Sequence, residues 1–169
     1  MKTTIILAMH GAPPNDFPRN ETSELFSLHR RIEHAQGEER KRLEERFAEL
    51  DAKMRAWPRT PQNDPFHAGS QDLARHLSQA AGCDVIAGFN EFCAPSLGDA
   101  LSQAIGGGAS KVIIVTPMMT RGGEHSEKDI PVFTKDAQAQ YPEIEIIYAW
   151  PFDISNVAEF LASQIEHLL

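Results

Sequence analysis

Two histidines and a glutamate stand where three separate apolar segments run out, and these residue types can bind a metal ion or move a proton. His10-Gly11 follows Thr3–Met9, and Asn90-Glu91-Phe92-Cys93-Ala94-Pro95 follows Asp84–Phe89. The third segment, Lys111–Pro117, leads into Met118-Met119-Thr120-Arg121-Gly122-Gly123-Glu124-His125. Neutral imidazole is both a common metal ligand and a proton acceptor. Two imidazoles with one or two carboxylates, Glu91 and Glu124, make a donor set suited to Co²⁺, Fe²⁺, Ni²⁺ or Zn²⁺. Two histidines leave coordination positions open, whereas a structural zinc site closes all four. An open site can hold an ion briefly and pass it on. Each residue also has an ordinary alternative. His10 could be a hydrogen-bonded imidazole closing a strand, His125 an exposed loop residue, and Glu91 a cap on the helix starting near Pro95-Ser96. His29, His34, His76 and His167 fall on charged helical segments and read as surface, and His67, at a helix start, has no assigned role.

The elements that must position these residues alternate strand and helix. Strands are expected at Thr3–Met9, Asp84–Phe89, Lys111–Pro117 and Ile144–Ala149. Ile5-Ile-Leu, Val112–Val115 and Ile144–Ile147 are near-continuous apolar runs, as suits parallel strands covered on both faces. Helices are expected at Phe66–Ala81, with Gly82 closing it, at Ser96–Ile105, from Asp129 as N-cap with Pro131 in the first turn, and at Ser155–Leu169. The last places Val157, Phe160, Leu161, Ile165 and Leu168 on one stripe. This rhythm predicts a three-layer α/β/α sandwich on a mainly parallel four-stranded sheet. Ligands of such sheets bind at the carboxyl ends of the strands, where His10, Glu91, Glu124 and His125 can converge.

Residues 21–57 interrupt the alternation as a helical insertion after the first strand. Leu25, Leu28, Ile32 and Ala35 form one apolar stripe, and Leu43, Phe47, Leu50, Met54 and Trp57 another, with Gly37 between them. The spacing predicts two helices, or one kinked near Gly37, with a coiled-coil-like seam buried in the same domain or by a second subunit. The charged run Glu38–Arg46 reads as the solvated face. The Pro-rich stretch from Trp57-Pro58 to Asp64-Pro65 returns the chain to the core.

The 169 residues suit a single domain, 1–169, able to bury about two-thirds of its unfolded surface. A net charge of −8 argues against nucleic acid and anionic membranes as partners. No apolar run approaches the ~20 residues of a membrane span, and the N-terminus lacks signal-peptide organisation. Cys83 and Cys93 have no CxxC spacing and read as reduced thiols of a cytoplasmic protein.

Taken in order, the motifs resemble a known family. His10-Gly11, then Phe89-Asn-Glu-Phe-Cys-Ala-Pro-Ser-Leu97, then the Gly-rich loop running through His125 to Asp129-Ile-Pro131, are similar to the small class II chelatases, the sirohydrochlorin cobalto- and ferrochelatases. The likeness covers about Thr3–Ala12 and Phe66–Leu169. Ala12-Pro13-Pro14 stands where many members carry Ser-Arg, and the insertion is longer than in short members. The resemblance implies an ATP-independent lyase-type chelatase that inserts Co²⁺, or alternatively Fe²⁺ or Ni²⁺, into a sirohydrochlorin-type tetrapyrrole, with no organic cofactor. It implies that His10 and His125 bind the metal or take the pyrrole protons, with Glu91 assisting. Met118, Met119, Phe92 and Trp150 would wall the macrocycle. Arg121 and Lys128, and more weakly Arg19 and Arg59, would meet its carboxylates. Short members resemble half of a two-lobed chelatase, so a homodimer is implied, which the insertion's seam could support.

Two other functions compete. A non-catalytic tetrapyrrole or metal carrier would keep both histidines. A histidine-phosphatase-type enzyme also places His-Gly after its first strand, but it needs an arginine beside the histidine, where Met9 and Ala12 stand here.

Overall fold

The computed structural model describes residues 2–169. β1 (Thr3–Met9), β2 (Asp84–Phe89), β3 (Lys111–Val115) and β4 (Glu145–Tyr148) form one parallel sheet in the order β2-β1-β3-β4. Ile5 pairs with Val85 and Ile113, and Ile113 with Ile147. Side chains alternate across a strand, so odd-numbered residues share one face and even-numbered residues the other.

Both faces are apolar, as the unbroken hydrophobic runs require. On the even face Ile6, Ala8, Val112, Ile114 and Ile146 pack against α4 (Leu97–Gly106) and α5 (Ile130–Gln140) through Leu97, Ala100, Leu101, Ala104, Ile130 and Ala137. On the odd face Leu7, Met9, Ala87 and Phe89 pack against Ala74 and Leu77 of α3 (Pro65–Ala81). The result is the expected three-layer α/β/α sandwich. The helix signals are those the sequence carries. Ser96 and Asp99 form a reciprocal capping box on α4, and Gly82 ends α3 at φ 68°. The chain runs from β1 to β2 on one side and then crosses to β3 on the other side of β1, so the carboxyl ends of β1 and β3 flank the crevice where order reverses.

The insertion is two helices, α1 (Arg19–His34) and α2 (Gly37–Arg55), not one kinked helix. Ala35 and Gln36 are extended and break the chain between them. Arg46 reaches Glu24 at 2.8 Å and Lys53 reaches Glu21 at 2.6 Å, which fixes an antiparallel hairpin. Leu25, Leu28, Leu43, Leu50 and Met54 are buried between the helices with Phe17, and Trp57 and Phe92 pack on this cluster. The seam is consumed inside the chain, so it is not free to support a second subunit.

Two further expectations are corrected. Asp129 does not cap α5, because the helical backbone already starts at His125. His125–Asp129 is a widened turn in which the Ile130 N–H donates to the His125 carbonyl. The last helix, α6, runs Ile154–Ile165 with a 3₁₀ turn after it, and no residue of it is buried.

Candidate metal centre

His10, Glu91 and His125 meet at the carboxyl edge of the sheet, with one potential ligand atom from each within 4.8 Å of the others. The two imidazole rings lie edge to face with centroids 4.5 Å apart. An ion bound ~2.1 Å from each donor needs donors roughly 3–4 Å apart. The His10 and Glu91 side chains are 46% and 38% exposed, so modest rotations can draw the three donors onto an ion.

Backbone geometry explains the meeting of His10 and Glu91. The Glu91 N–H donates to the His10 carbonyl at 2.9 Å, and the Asn90 N–H donates to the Met9 carbonyl at 2.9 Å. The β2 loop therefore lies directly along the end of β1. Gly11, at φ 101°, makes this approach possible, since a Cβ there would sit 2.0 Å from the Glu91 carbonyl oxygen. The His-Gly pair thus has a steric origin: histidine supplies the donor and glycine lets the neighbouring loop in. Phe92 follows at φ 60°, an unusual conformation for a large side chain, and its ring stacks 6.4 Å from His10.

Hydrogen bonds occupy one nitrogen of each ring and leave the other available. His10 Nδ1 lies 3.0 Å from the Gly11 carbonyl, and a carbonyl only accepts, so the proton sits on Nδ1. His125 Nδ1 donates to Asp129 Oδ2 at 2.6 Å, one helical turn on. Both rings leave Nε2 with a free lone pair. A carboxylate behind a histidine fixes its tautomer and ring orientation. The carboxylate of Asp129 does this here, in place of the expected helix cap. Tyr148 on β4 holds the same turn, donating its hydroxyl to the Ser126 carbonyl at 2.9 Å, and burial pushes its phenol up to about 12.

Two arginines from the insertion and its exit loop grip the Glu91 loop. Arg55 donates to the Cys93 and Asn90 carbonyls at 2.8 and 2.9 Å. Arg59 pairs with Asp64 and donates to the carbonyls of Ala12, Met54 and Phe92. The Arg59 and Asp64 side chains are only 8% and 1% exposed. Arg59 is therefore a buried clasp joining the His10 loop, the Glu91 loop and the hairpin, and it is not available to a substrate carboxylate. Beside it, burial holds the Cys93 thiol above its ordinary value. Burial also lowers the His67 imidazole, offset in part by the Asp64 carboxylate.

A cavity of about 350 Å³ opens beside Glu91, between the hairpin and the Glu91 loop. Phe26, His29, Phe47, Arg55 and Phe92 line it. Phe92 lies in the lining of this cavity, with the Phe26 ring 5.7 Å from its own. Met118 is half-buried against the even-face core, and Met119 is half-buried. Arg121 is exposed, and the exposed Lys128 pairs with Glu124 at 3.2 Å. Trp150 stacks on Tyr148, and Arg19 is an exposed residue starting α1. Arg55 and Phe26 were not singled out from sequence, whereas Asp129 was read only as a helix cap, Arg59 only as a weak substrate contact and His29 only as a surface residue. Only Asp129 carried a usable signal, its i+4 spacing from His125.

Comparison with known proteins supports the family. The CbiX family model matches residues 63–168, a stretch holding Glu91 and His125. A sirohydrochlorin cobaltochelatase of Saccharolobus islandicus (strain L.S.2.15 / Lassen #1) is 35% identical over 85 residues, covering 46% of this chain and 66% of that protein. A sirohydrochlorin ferrochelatase of Priestia megaterium is 27% identical over 78 residues, covering 46% of this chain and 29% of that protein. The chain thus spans slightly under two thirds of the first relative and much less of the second. The solved structure of a CbiX protein from Marinobacter aquaeolei VT8 shares the fold at a TM-score of 0.52, with 17% identity over 98% of this chain and 97% of that one. With its family match spanning more than half of its length, the chain belongs to the CbiX family.

Proposed function

We propose that this protein inserts a divalent metal ion into a sirohydrochlorin-type tetrapyrrole without ATP or an organic cofactor. Co²⁺ is the first candidate as metal substrate, and Fe²⁺ and Ni²⁺ are alternatives. The observation that carries the reading is the three-donor cluster of His10, Glu91 and His125, open to solvent beside an aromatic-lined cavity. Three donors cannot saturate a first-row ion, so the macrocycle can compete for it.

The chemistry follows from the donors. The Nε2 lone pairs of His10 and His125 displace water from the ion. Insertion forms metal–nitrogen bonds and releases two pyrrole protons, leaving charge balanced. Glu91, 38% exposed, accepts protons and passes them to solvent. Phe92 and Phe26 offer apolar faces to the ring, and Met118 and Met119 extend that wall. Arg121 and Lys128, both exposed near the His125 turn, meet the substrate's carboxylates. Arg59 is held by Asp64 and three carbonyls, so it does not supply the phosphate clamp that a phosphatase needs.

We further propose that the chain is a single domain that acts as a homodimer, in a reducing cytoplasmic compartment where Cys83 and Cys93 stay free. A spectrophotometric assay with sirohydrochlorin and Co²⁺, Fe²⁺ or Ni²⁺ tests the activity. Multiple turnovers are expected with at least one of these metals. Stoichiometric binding without turnover would make the protein a carrier.

A further inference from the structure

α6 is an amphipathic helix that buries none of its residues against the described residues of its own chain. Ile154, Phe160, Leu161 and Ile165 are 75%, 52%, 55% and 48% exposed, and Leu168 beyond it 73%. A helix of 12 residues is marginal in water, and its stability comes from burying its apolar face. A patch of this kind marks a contact surface.

The same chain carries a surface that fits it. On the odd face α3 packs on β2 and leaves the β3–β4 half only partly covered. Ile5, Ile113 and Ile147 are in register across β1, β3 and β4, forming an apolar row. Ile147 is 37% exposed, and Ile113 and Val115 are half-buried. A strand row in a parallel sheet ordinarily lies beneath a helix.

The connector keeps α6 off its own sheet. The Ala149 N–H donates to the Ile114 carbonyl at 2.8 Å, and the Trp150 N–H to the Tyr148 carbonyl at 3.0 Å. The Trp150 ring stacks on Tyr148 at 6.2 Å and meets Phe152 edge-on at 5.6 Å. Asp153 then caps α6 through the N–H groups of Ser155 and Asn156. The five residues 149–153 are thus pinned along most of their length, and the helix leaves the body instead of doubling back.

We propose that α6 of one copy lies on the partly covered β3–β4 face of a second copy, and that the second copy returns its own α6. Each chain offers one helix and one face, so a two-fold exchange uses both and closes. Reciprocity doubles the contact, which brings a short helix toward the ~1,600 Å² of a stable interface. α6 carries Glu159 and no Lys or Arg, which disfavours an anionic membrane as the occupant. This inference rests on the homodimer proposed above and names the surfaces that make it.

Light scattering on the full chain tests it with two variants, Leu161→Asp/Ile165→Asp on the helix and Ile147→Lys on the face. Neither touches the metal centre. The native chain is expected at twice 18.8 kDa. Each variant should dissociate at least ~100-fold more readily, because a buried unpaired charge is costly. Circular dichroism and Co²⁺ binding should stay unchanged. An equimolar mixture should associate more readily than either variant alone but less tightly than the native chain, since a 1:1 pair keeps one native helix-on-face contact of the two. A native chain at 18.8 kDa would overturn both the dimer and the exchange. A native dimer that persists in both variants would overturn the exchange and leave the dimer standing.

Discussion

Asp129 and Gly11 show how single residues set the donor geometry without binding the ion. The Asp129 carboxylate, 2.6 Å from His125 Nδ1, holds the ring and leaves Nε2 free. Asp129→Asn should lower Co²⁺ affinity and insertion roughly 10–100-fold with little loss of stability, as removal of a carboxylate behind a ligating histidine generally does. Isothermal titration with Co²⁺ beside a thermal melt checks this, and an unchanged affinity would deny Asp129 its orienting role. At Gly11 an added methyl meets the Glu91 carbonyl oxygen at 2.0 Å, so one loop must move. Gly11→Ala should separate His10 from Glu91 and depress insertion at least tenfold, read from initial rates. Sequence showed that His10, Glu91 and His125 lie at strand ends. It hid the role of Asp129, because an aspartate before Ile-Pro looks the same whether it caps a helix or faces a histidine one turn back.

At the scale of elements, strands and hairpin were legible because each writes its burial as a period. Parallel strands buried on two faces give unbroken apolar runs, and the 3–4 spacing of Leu25, Leu28, Ile32 and of Leu43, Phe47, Leu50 gives the two hairpin helices. Whether that seam would meet its own chain or another was not written locally, since burial within a hairpin and across a dimer has one pattern. The Arg59 clasp was equally hidden, because its partners at Ala12, Met54 and Phe92 come together only in three dimensions. Removing that side chain strands Asp64 as a buried charge. Arg59→Ala should cost on the order of 3–5 kcal/mol in urea unfolding and loosen the Glu91 loop. The neighbouring Cys93 thiol is fully buried and raised by that burial, while Cys83 is partly accessible. Under native conditions a maleimide should label Cys83, and Cys93 only after unfolding or in the Arg59→Ala variant. Mass spectrometry of the labelled peptides reads the difference.

For the whole molecule, the hairpin walls a cavity beside the potential donors held on strand ends. Acid should weaken this assembly in two ways. Desolvation lowers the folded-state His67 imidazole below its ordinary value near 6.5, so the unfolded chain takes up its proton first. The His67 contribution is full above about 6.5 and is lost as pH falls below it. Urea midpoints at pH 7.5 and 5.5 should therefore differ, and His67→Gln should narrow the gap. Protons also compete with metal for ligating imidazoles, so Co²⁺ affinity should fall over the same direction of pH. The central claim is that His10 and His125 deliver the ion to the macrocycle. Its most direct test is multiple-turnover Co²⁺ insertion into sirohydrochlorin by the native chain, His10→Ala and His125→Ala, each checked for an intact fold. The account predicts turnover by the native chain and a loss of at least ~100-fold in each variant. Near-native rates in both variants would contradict it.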